Sequence, residues 1–349
     1  MMNKFYMIVW ISVLAGKISG QNGIDVLICK DEIHLSHLES KKYAQILAHR
    51  ANPKTQNYDL IYQRLELEID PSKAYIRGRV TVHFVPREDS FQIIHLDFSD
   101  ALSVNKLARA GADLRHYLAD SATLAVVLNE TISAGKPDSI LIEYEGIPRS
   151  EGFGSFVQSD HNGTPVLWTL SEPYGARSWW PCKQDLDDKI DSLDVLVTSP
   201  AGFRTASNGI LVSESKSSEK TICHWRHRYP IAAYLVGIAV TNYEVFTDSV
   251  RLESGDKMAI VNYVYPESLP TVRSQAFDVV EVMQLFNRLF GDYPFAREQY
   301  GQAQFGWGGG IEHQTMSFVG AFPYELLAHE LAHQWFGNQI TCGNWEDIW

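Results

Sequence analysis

The chain has 349 residues, 45% of them apolar, enough to bury a substantial core in roughly two domains. Its 42 acidic residues outweigh 30 basic ones for a formal charge of −12, which argues against nucleic acid or an anionic membrane surface as partner and favours cationic ligands. Four scattered cysteines, Cys29, Cys182, Cys223 and Cys342, show no C-x-x-C spacing; they are read as disulfides in one of three pairings or as buried thiols, not as zinc ligands.

Residues 1–20 have the layout of a secretory signal. Lys4 supplies the positive start, Phe5 to Gly16 an apolar stretch too short to span a bilayer, and Ser19-Gly20 a small-residue cleavage site. An exported protein beginning near Gln21 follows, with 21–50 as a leader. No later stretch is apolar enough for a transmembrane helix. Asn129-Glu130-Thr131 and Asn162-Gly163-Thr164 are glycosylation sequons, meaningful only in a eukaryotic secretory pathway.

From about Tyr58 to Ile147, apolar residues recur at every second position in short runs: Leu65, Leu67, Ile69; Ile76, Val80, Val82, Phe84; Ile94, Leu96, Phe98; Leu124, Val126, Leu128; Ile140, Ile142, Tyr144. Period two, punctuated by Asp70-Pro71-Ser72 and Ala134-Gly135-Lys136-Pro137, predicts antiparallel strands with one buried face. Val195 to Thr198, Thr221 to Trp225 and Tyr234 to Val240 continue the style, giving a β-rich domain over 51–250. Asp185, Asp187, Asp188, Asp191 and Asp194 lack EF-hand spacing and read as a solvated loop. His34, His37, His224 and His227 read as surface residues, and Trp179-Trp180 as ordinary aromatics.

After residue 250 the period changes. Val272 to Phe290 places apolar residues at helical spacing and ends at Gly291-Asp292-Tyr293-Pro294. A second helix is predicted over Tyr324 to Phe336, with Pro323 suited to its first turn and Gly337 to its end. It carries His329-Glu330-Leu331-Ala332-His333. Positions i and i+4 share a helix face, so both imidazoles can reach one Zn²⁺ at about 2.0–2.1 Å with Glu330 beside the open position. Leu327 and Leu331 lie on another face and can pack into a core. Catalytic zinc usually takes a third protein ligand, which these five residues do not supply. Upstream, Trp307-Gly308-Gly309-Gly310-Ile311-Glu312-His313 offers a backbone that another chain can approach closely, either as a plain turn or as an edge for a substrate strand.

Gly309-Gly310-Ile311-Glu312-His313 followed by His329-Glu330-Leu331-Ala332-His333-Gln334-Trp335-Phe336-Gly337 resembles the aminopeptidase N family of zinc exopeptidases, with its G-x-M-E-N and H-E-x-x-H-x-W-F-G signatures. Ser171-Glu172-Pro173-Tyr174-Gly175-Ala176-Arg177, Trp180-Pro181-Cys182, Tyr234-Leu235-Val236, Phe290 to Phe295 and Trp345 to Trp349 match further family blocks in order, so the resemblance covers roughly residues 55 to 349. It implies a mostly β amino-terminal domain, an antiparallel sandwich or saddle, followed by the start of a thermolysin-like α+β zinc metallopeptidase domain over 251–349. It implies one zinc on His329 and His333, Glu330 as the general base, Glu312 and Glu172 as anchors for the substrate's free α-ammonium, and Gly310 and Ile311 as backbone partners of the substrate. Ile311 stands where the family has methionine, and His313 where it has asparagine. The family's third ligand, a glutamate nineteen residues after the second histidine, would fall three positions past Trp349. The expectation is therefore that these 349 residues alone show no measurable peptidase activity. Two further readings are a thermolysin-type endopeptidase, which has the same histidine motif and no amine anchors, and a β-rich binding module with an incomplete metal site.

Overall fold

The computed structural model describes residues 51–347. The expected signal and leader, with Cys29, His34 and His37, lie outside the described residues, as do Ile348 and Trp349. Ala51–Thr341 form one compact unit. Its strands are β1 (Tyr58–Ile69), β2 (Ile76–Pro86), β3 (Phe91–Asp97), β4 (Leu102–Arg109), β5 (Ala112–Asp113), β6 (Arg115–Asp120), β7 (Thr123–Ile132), β8 (Asp138–Gly146), β9 (Ser155–His161), β10 (Thr164–Leu170), β11 (Ser192–Pro200), β12 (Arg204–Ser207), β13 (Ile210–Lys216), β14 (Lys220–His227), β15 (Ile238–Thr241), β16 (Glu244–Arg251), β17 (Lys257–Val264), β18 (Tyr300–Gln304), β19 (Gly310–Ile311) and β20 (Met316–Val319). Two α-helices, α1 (Leu269–Phe290) and α2 (Tyr324–Ala332), interrupt and follow the last of these. No described helix is long and apolar enough to cross a membrane.

The alternating residues of the β-rich half all point inward: the sixteen positions that set its period of two are 2% exposed or less. They line an eight-stranded sheet of order β13-β14-β11-β1-β2-β8-β4-β5 and a three-stranded sheet β3-β7-β6, while β12-β15-β10-β9 make a third sheet. One pairing departs from the antiparallel expectation: β1 runs parallel to β11, with Leu65 opposite Val195. Period two reports a buried face and is blind to strand direction, which the long connection between the two strands leaves open. The Tyr234 to Val240 run also differs, forming a 3-10 turn over Ala233–Leu235 before β15 begins. Every residue of that run is buried, so its apolar character carries no period.

Several polar side chains expected at the surface are inside. Asp185, Asp188 and Asp194 are only 4–6% exposed, whereas Asp187 and Asp191 do face solvent. Asp188 pairs with the fully enclosed Lys183, whose Nζ also donates to Tyr58 O at 2.9 Å and lies 4.5 Å over the Tyr58 ring. Asp194 accepts from Tyr62 Oη (2.9 Å) and Arg228 Nη2 (2.6 Å) and meets His224 Nε2 at 2.6 Å. His227 is 1% exposed, with Nδ1 2.5 Å from Glu298. The run of aspartates reads as a loop in sequence because nothing local shows that Asp194 meets Arg228, 34 residues on, or that Lys183, five residues before Asp188, is itself buried. Trp179 and Trp180 are core residues, and Cys182 and Cys223 are buried thiols.

The five-stranded sheet, order β16-β17-β18-β20-β19, carries the two helices. α1 begins three residues earlier than its period predicts, at Leu269 with Pro270 in its first turn, and ends at Gly291, whose N–H donates to Asn287 O. Val279, Val282 and Met283 of α1 pack with Leu331 and Trp335 around Tyr293, Phe295 and Tyr300. α2 stops at Ala332, short of the expected Phe336. Beyond it the backbone widens, with Asn338, Gln339 and Ile340 N–H groups donating five residues back to His333, Gln334 and Trp335. Past this unit, 342–347 add a 3-10 turn at Trp345–Asp347.

Candidate active site

Helix α2 divides its residues as the spacing predicts. Leu327 and Leu331 are buried in two apolar clusters, and the opposite face presents the histidines. His333 caps the helix in right-handed helical conformation, so the i, i+4 geometry survives its early end. The two Nε2 atoms lie 3.1 Å apart, with the rings nearly perpendicular. His333 Nδ1 sits 3.1 Å from Phe336 O and donates to it, which leaves the Nε2 lone pair facing its neighbour. Two zinc–nitrogen bonds at a near-tetrahedral angle put their nitrogens roughly 3.3 Å apart, so this pair fits two positions of one zinc ion. Among the described residues no third His, Cys, Asp or Glu joins them.

Glu330 faces β19. It is 3% exposed, and a Cβ on Gly310 would come 2.2 Å from its Oε1. Only a glycine lets the backbone of this strand lie against the carboxylate. β19 is the last strand of its sheet, paired on one side to β20 through Gly310–Val319 and Ile311–Phe318. Ile311 buries its side chain, so what β19 can offer outward is backbone.

Glu172 follows β10 in the β-rich half, and Glu312 follows β19. The fold brings their charges together. Burial, and then the nearby Glu312 carboxylate, push Glu172 up to about 8. Glu330 is raised well above the usual carboxylate range by burial, then by Glu312 and Glu172. His329 is held below the ordinary imidazole value by the protein around its ring and by His333, with Glu312 pulling the other way. A neutral imidazole is the form that binds a metal. Three carboxylates within mutual reach cannot all ionise cheaply, and a cation among them relieves the repulsion.

The turn that carries Glu312, residues 312–315, is strained and tightly held. Thr315 has φ +66°, a conformation that costs a β-branched residue on the order of 1–3 kcal/mol and persists only where its surroundings impose it. Its N–H donates to Gln334 Oε1 at 2.8 Å, its Oγ1 accepts from Gly209 N at 2.7 Å, and the neighbouring Gln314 O accepts from Asn208 Nδ2 at 2.7 Å. Asn338 Nδ2 donates to Glu312 O at 2.7 Å. His313 is fully buried, its ring 4.4 Å from that of Phe318 and against the bare backbone of Gly237, where a Cβ would clash at 2.8 Å. Burial drives His313 down to about 3, so it is neutral and adds no charge beside Glu312.

Residues 54–235 match the Peptidase M1 N-terminal domain, and residues 323–349 the Peptidase family M1 domain. The chain belongs to peptidase family M1. Among its M1 relatives, glutamyl aminopeptidase of Homo sapiens is 28% identical over 203 residues, covering 53% of this chain and 21% of the human protein. Leucine aminopeptidase 2 of Aspergillus oryzae is 24% identical over 213 residues, covering 55% and 32% respectively. The chain thus spans between a fifth and a third of these relatives. The fold is shared with a two-domain M1 zinc metallopeptidase mutant bound to L-arginine, at TM-score 0.71 and 22% identity over 83% of this chain and 67% of that one. The M1 zinc metallopeptidase of Deinococcus radiodurans superposes with TM-score 0.69 and 23% identity, over 83% and 66%.

Against this M1 fold, the residues read from sequence fall into one place: His329, His333, Glu330, Gly310, Glu312 and Glu172. Sequence reasoning missed Gln334, Asn338 and Thr315. The first two sit just after the histidine motif, but nothing in their spacing announces that they grip a turn before it. Nor does a threonine advertise a left-handed φ.

Proposed function

We propose that this M1 chain serves a zinc-dependent aminopeptidase that hydrolyses the first peptide bond of peptides with a free amino terminus. The observation that carries the reading is the convergence of Glu172 and Glu312, neither paired with a cation among the described residues, beside Glu330 and the histidine pair. A substrate ammonium is the cation such a cluster lacks, and two carboxylates on one ammonium fix how far the chain end lies from the histidines. His329 and His333 would hold one zinc per chain. When bound, the metal supplies a Lewis acid that polarises the scissile carbonyl and lowers the pKa of water.

The protein's own groups do the rest. Glu330 takes the proton of the attacking water on its carboxylate and passes it to the leaving amine. β19 aligns the substrate by backbone hydrogen bonds along its open edge. An ammonium among the three carboxylates favours their ionised forms, so substrate binding itself readies Glu330 as a base. We further propose a β-rich domain over 51–250, a catalytic domain from 251, and export directed by residues 1–20.

The test uses purified protein that carries the third zinc ligand the family resemblance implies, with its zinc content verified. Free-amine peptides should be cut far faster than their N-acetylated counterparts; equal rates favour a thermolysin-type endopeptidase, and peptide binding without zinc uptake favours a binding module.

A further inference from the structure

The turn between β19 and β20 must place the Glu312 carboxylate at a fixed reach from His329 and His333. The turn is four residues long and includes the strained Thr315; Met316 N bonds His313 O across it, and Asn208, Gly209 and Gly301 hold residues 314 and 315, but none of these contacts reaches Glu312. What ties the Glu312 end to the histidine segment comes from the other side. Gln334, directly after His333, is fully buried, and its amide spans the turn. Oε1 accepts from Thr315 N at 2.8 Å and from Tyr293 Oη at 3.3 Å, while Nε2 points at Glu312 O and His313 O, both at 3.4 Å. Asn338, four residues further and also fully buried, donates to the same Glu312 carbonyl at 2.7 Å. Its own carbonyl accepts from Lys189 Nζ at 3.0 Å, a contact from the β-rich half.

We propose that Gln334 is a positioning residue that sets the distance between the amine anchor Glu312 and the histidine pair, with Asn338 as its second support. Gln334 shares a backbone segment with His333, so any shift of the histidines carries the amide with it, and the amide carries the turn. The strain at Thr315 supplies the opposing tendency: released from Gln334, the turn relaxes towards an ordinary φ and Glu312 moves. A glutamine suits the position because it offers a donor and an acceptor at once to a backbone that presents two carbonyls and one N–H. The inference rests on the aminopeptidase reading for its consequence, not for its geometry.

Gln334→Met keeps the length of the side chain and removes both polar ends, and Asn338→Ala removes only the contact to Glu312 O. With zinc content measured for each, the ratio of kcat/KM for free-amine over N-acetylated peptide should fall by about ten- to a hundredfold in Gln334→Met and less in Asn338→Ala, the zinc staying bound. A ratio unchanged in both variants, or one that falls only in step with lost zinc, overturns the proposal. If the unaltered protein itself shows no free-amine preference, the aminopeptidase reading has failed rather than this one. The geometry is then judged by amide hydrogen exchange: Thr315 N–H should exchange at least about tenfold faster in Gln334→Met while β18 amides hold their rates. Unchanged exchange at Thr315 overturns it. Where Gln334→Met does not fold, the Asn338→Ala ratio and the exchange of residues 312–316 in that variant decide.

Discussion

Two polar clusters lie inside this molecule and are built on opposite rules. Around Lys183 and Asp194 buried charges face partners of opposite sign, Lys183 with Asp188 and Asp194 with Arg228 and His224, while the buried Asp185 is held by the neutral amide of Gln56. Burial acts to raise Asp194, but hydrogen bonds from His224, Arg228 and Tyr62 outweigh it and hold the carboxyl below its ordinary value. Around Glu330 the charges are all of one sign, and burial with mutual repulsion drives Glu172 and Glu330 up. The first set is paired as folded, although burial still lowers Lys183 and raises Asp188 against their mutual attraction. The second has no counter-charge among the described residues, which is what the proposed aminopeptidase reading asks of a site whose cation arrives with the substrate.

The largest expected effect separates the two by function. Glu330→Gln should lower kcat by about 10²–10⁴-fold with zinc content and unfolding midpoint held, because it removes a proton acceptor and no structural partner. A variant that keeps full activity would merge the two clusters into one structural class. Lys183→Met should do the reverse, costing about 3–5 kcal/mol in urea unfolding through the stranded Asp188, with Lys183→Met/Asp188→Leu recovering most of the loss. Gly310→Ala is subtler: its Cβ would push Glu330 aside, so kcat should fall about ten- to a hundredfold with little change in stability.

The smallest effect is on pH dependence. The folded chain keeps the Glu172 proton up to about pH 8. The unfolded chain releases it near the ordinary glutamate value. Glu172 thus contributes stability fully present below that ordinary value and lost as pH rises through the folded one, at up to about 1.4 kcal/mol per pH unit between them. Urea titrations of chelator-treated protein should show this slope, and Glu172→Gln should flatten it. Asp194, depressed rather than raised, bends the curve the other way: its contribution is present above the ordinary aspartate value and lost on acidification through its lower folded one.

Much of the fold was legible beforehand. Sixteen alternating residues named the inner faces of the β-rich half, because a strand turns successive side chains to opposite sides whatever its partners. The Leu327/Leu331 face of α2 was legible for the same local reason, at helical spacing. Boundaries were less so: α2 ends at Ala332 where the backbone opens into wider hydrogen bonds, a choice made by the packing of Trp335 and the grip of Gln334, not by local propensity. His227 and Asp194 looked like surface in sequence because Glu298 and Arg228, which pair with them, are far along the chain, and the buried Asp185 and Asp188 gave no local sign of their burial.

The sequence by itself determined what is local: the strand and helix periods, the pairing of His329 with His333 on one face, and the residue types that zinc and an ammonium require. Only the tertiary structure decided what is convergent: that β1 lies parallel to β11, that Glu172 comes within the field of Glu312 and Glu330, and that Gln334 reaches back to a turn it follows in the chain. A repeat of two or of 3.6 residues fixes where a side chain points relative to its own backbone. Where that backbone lies relative to another depends on the order in which whole strands pair and pack.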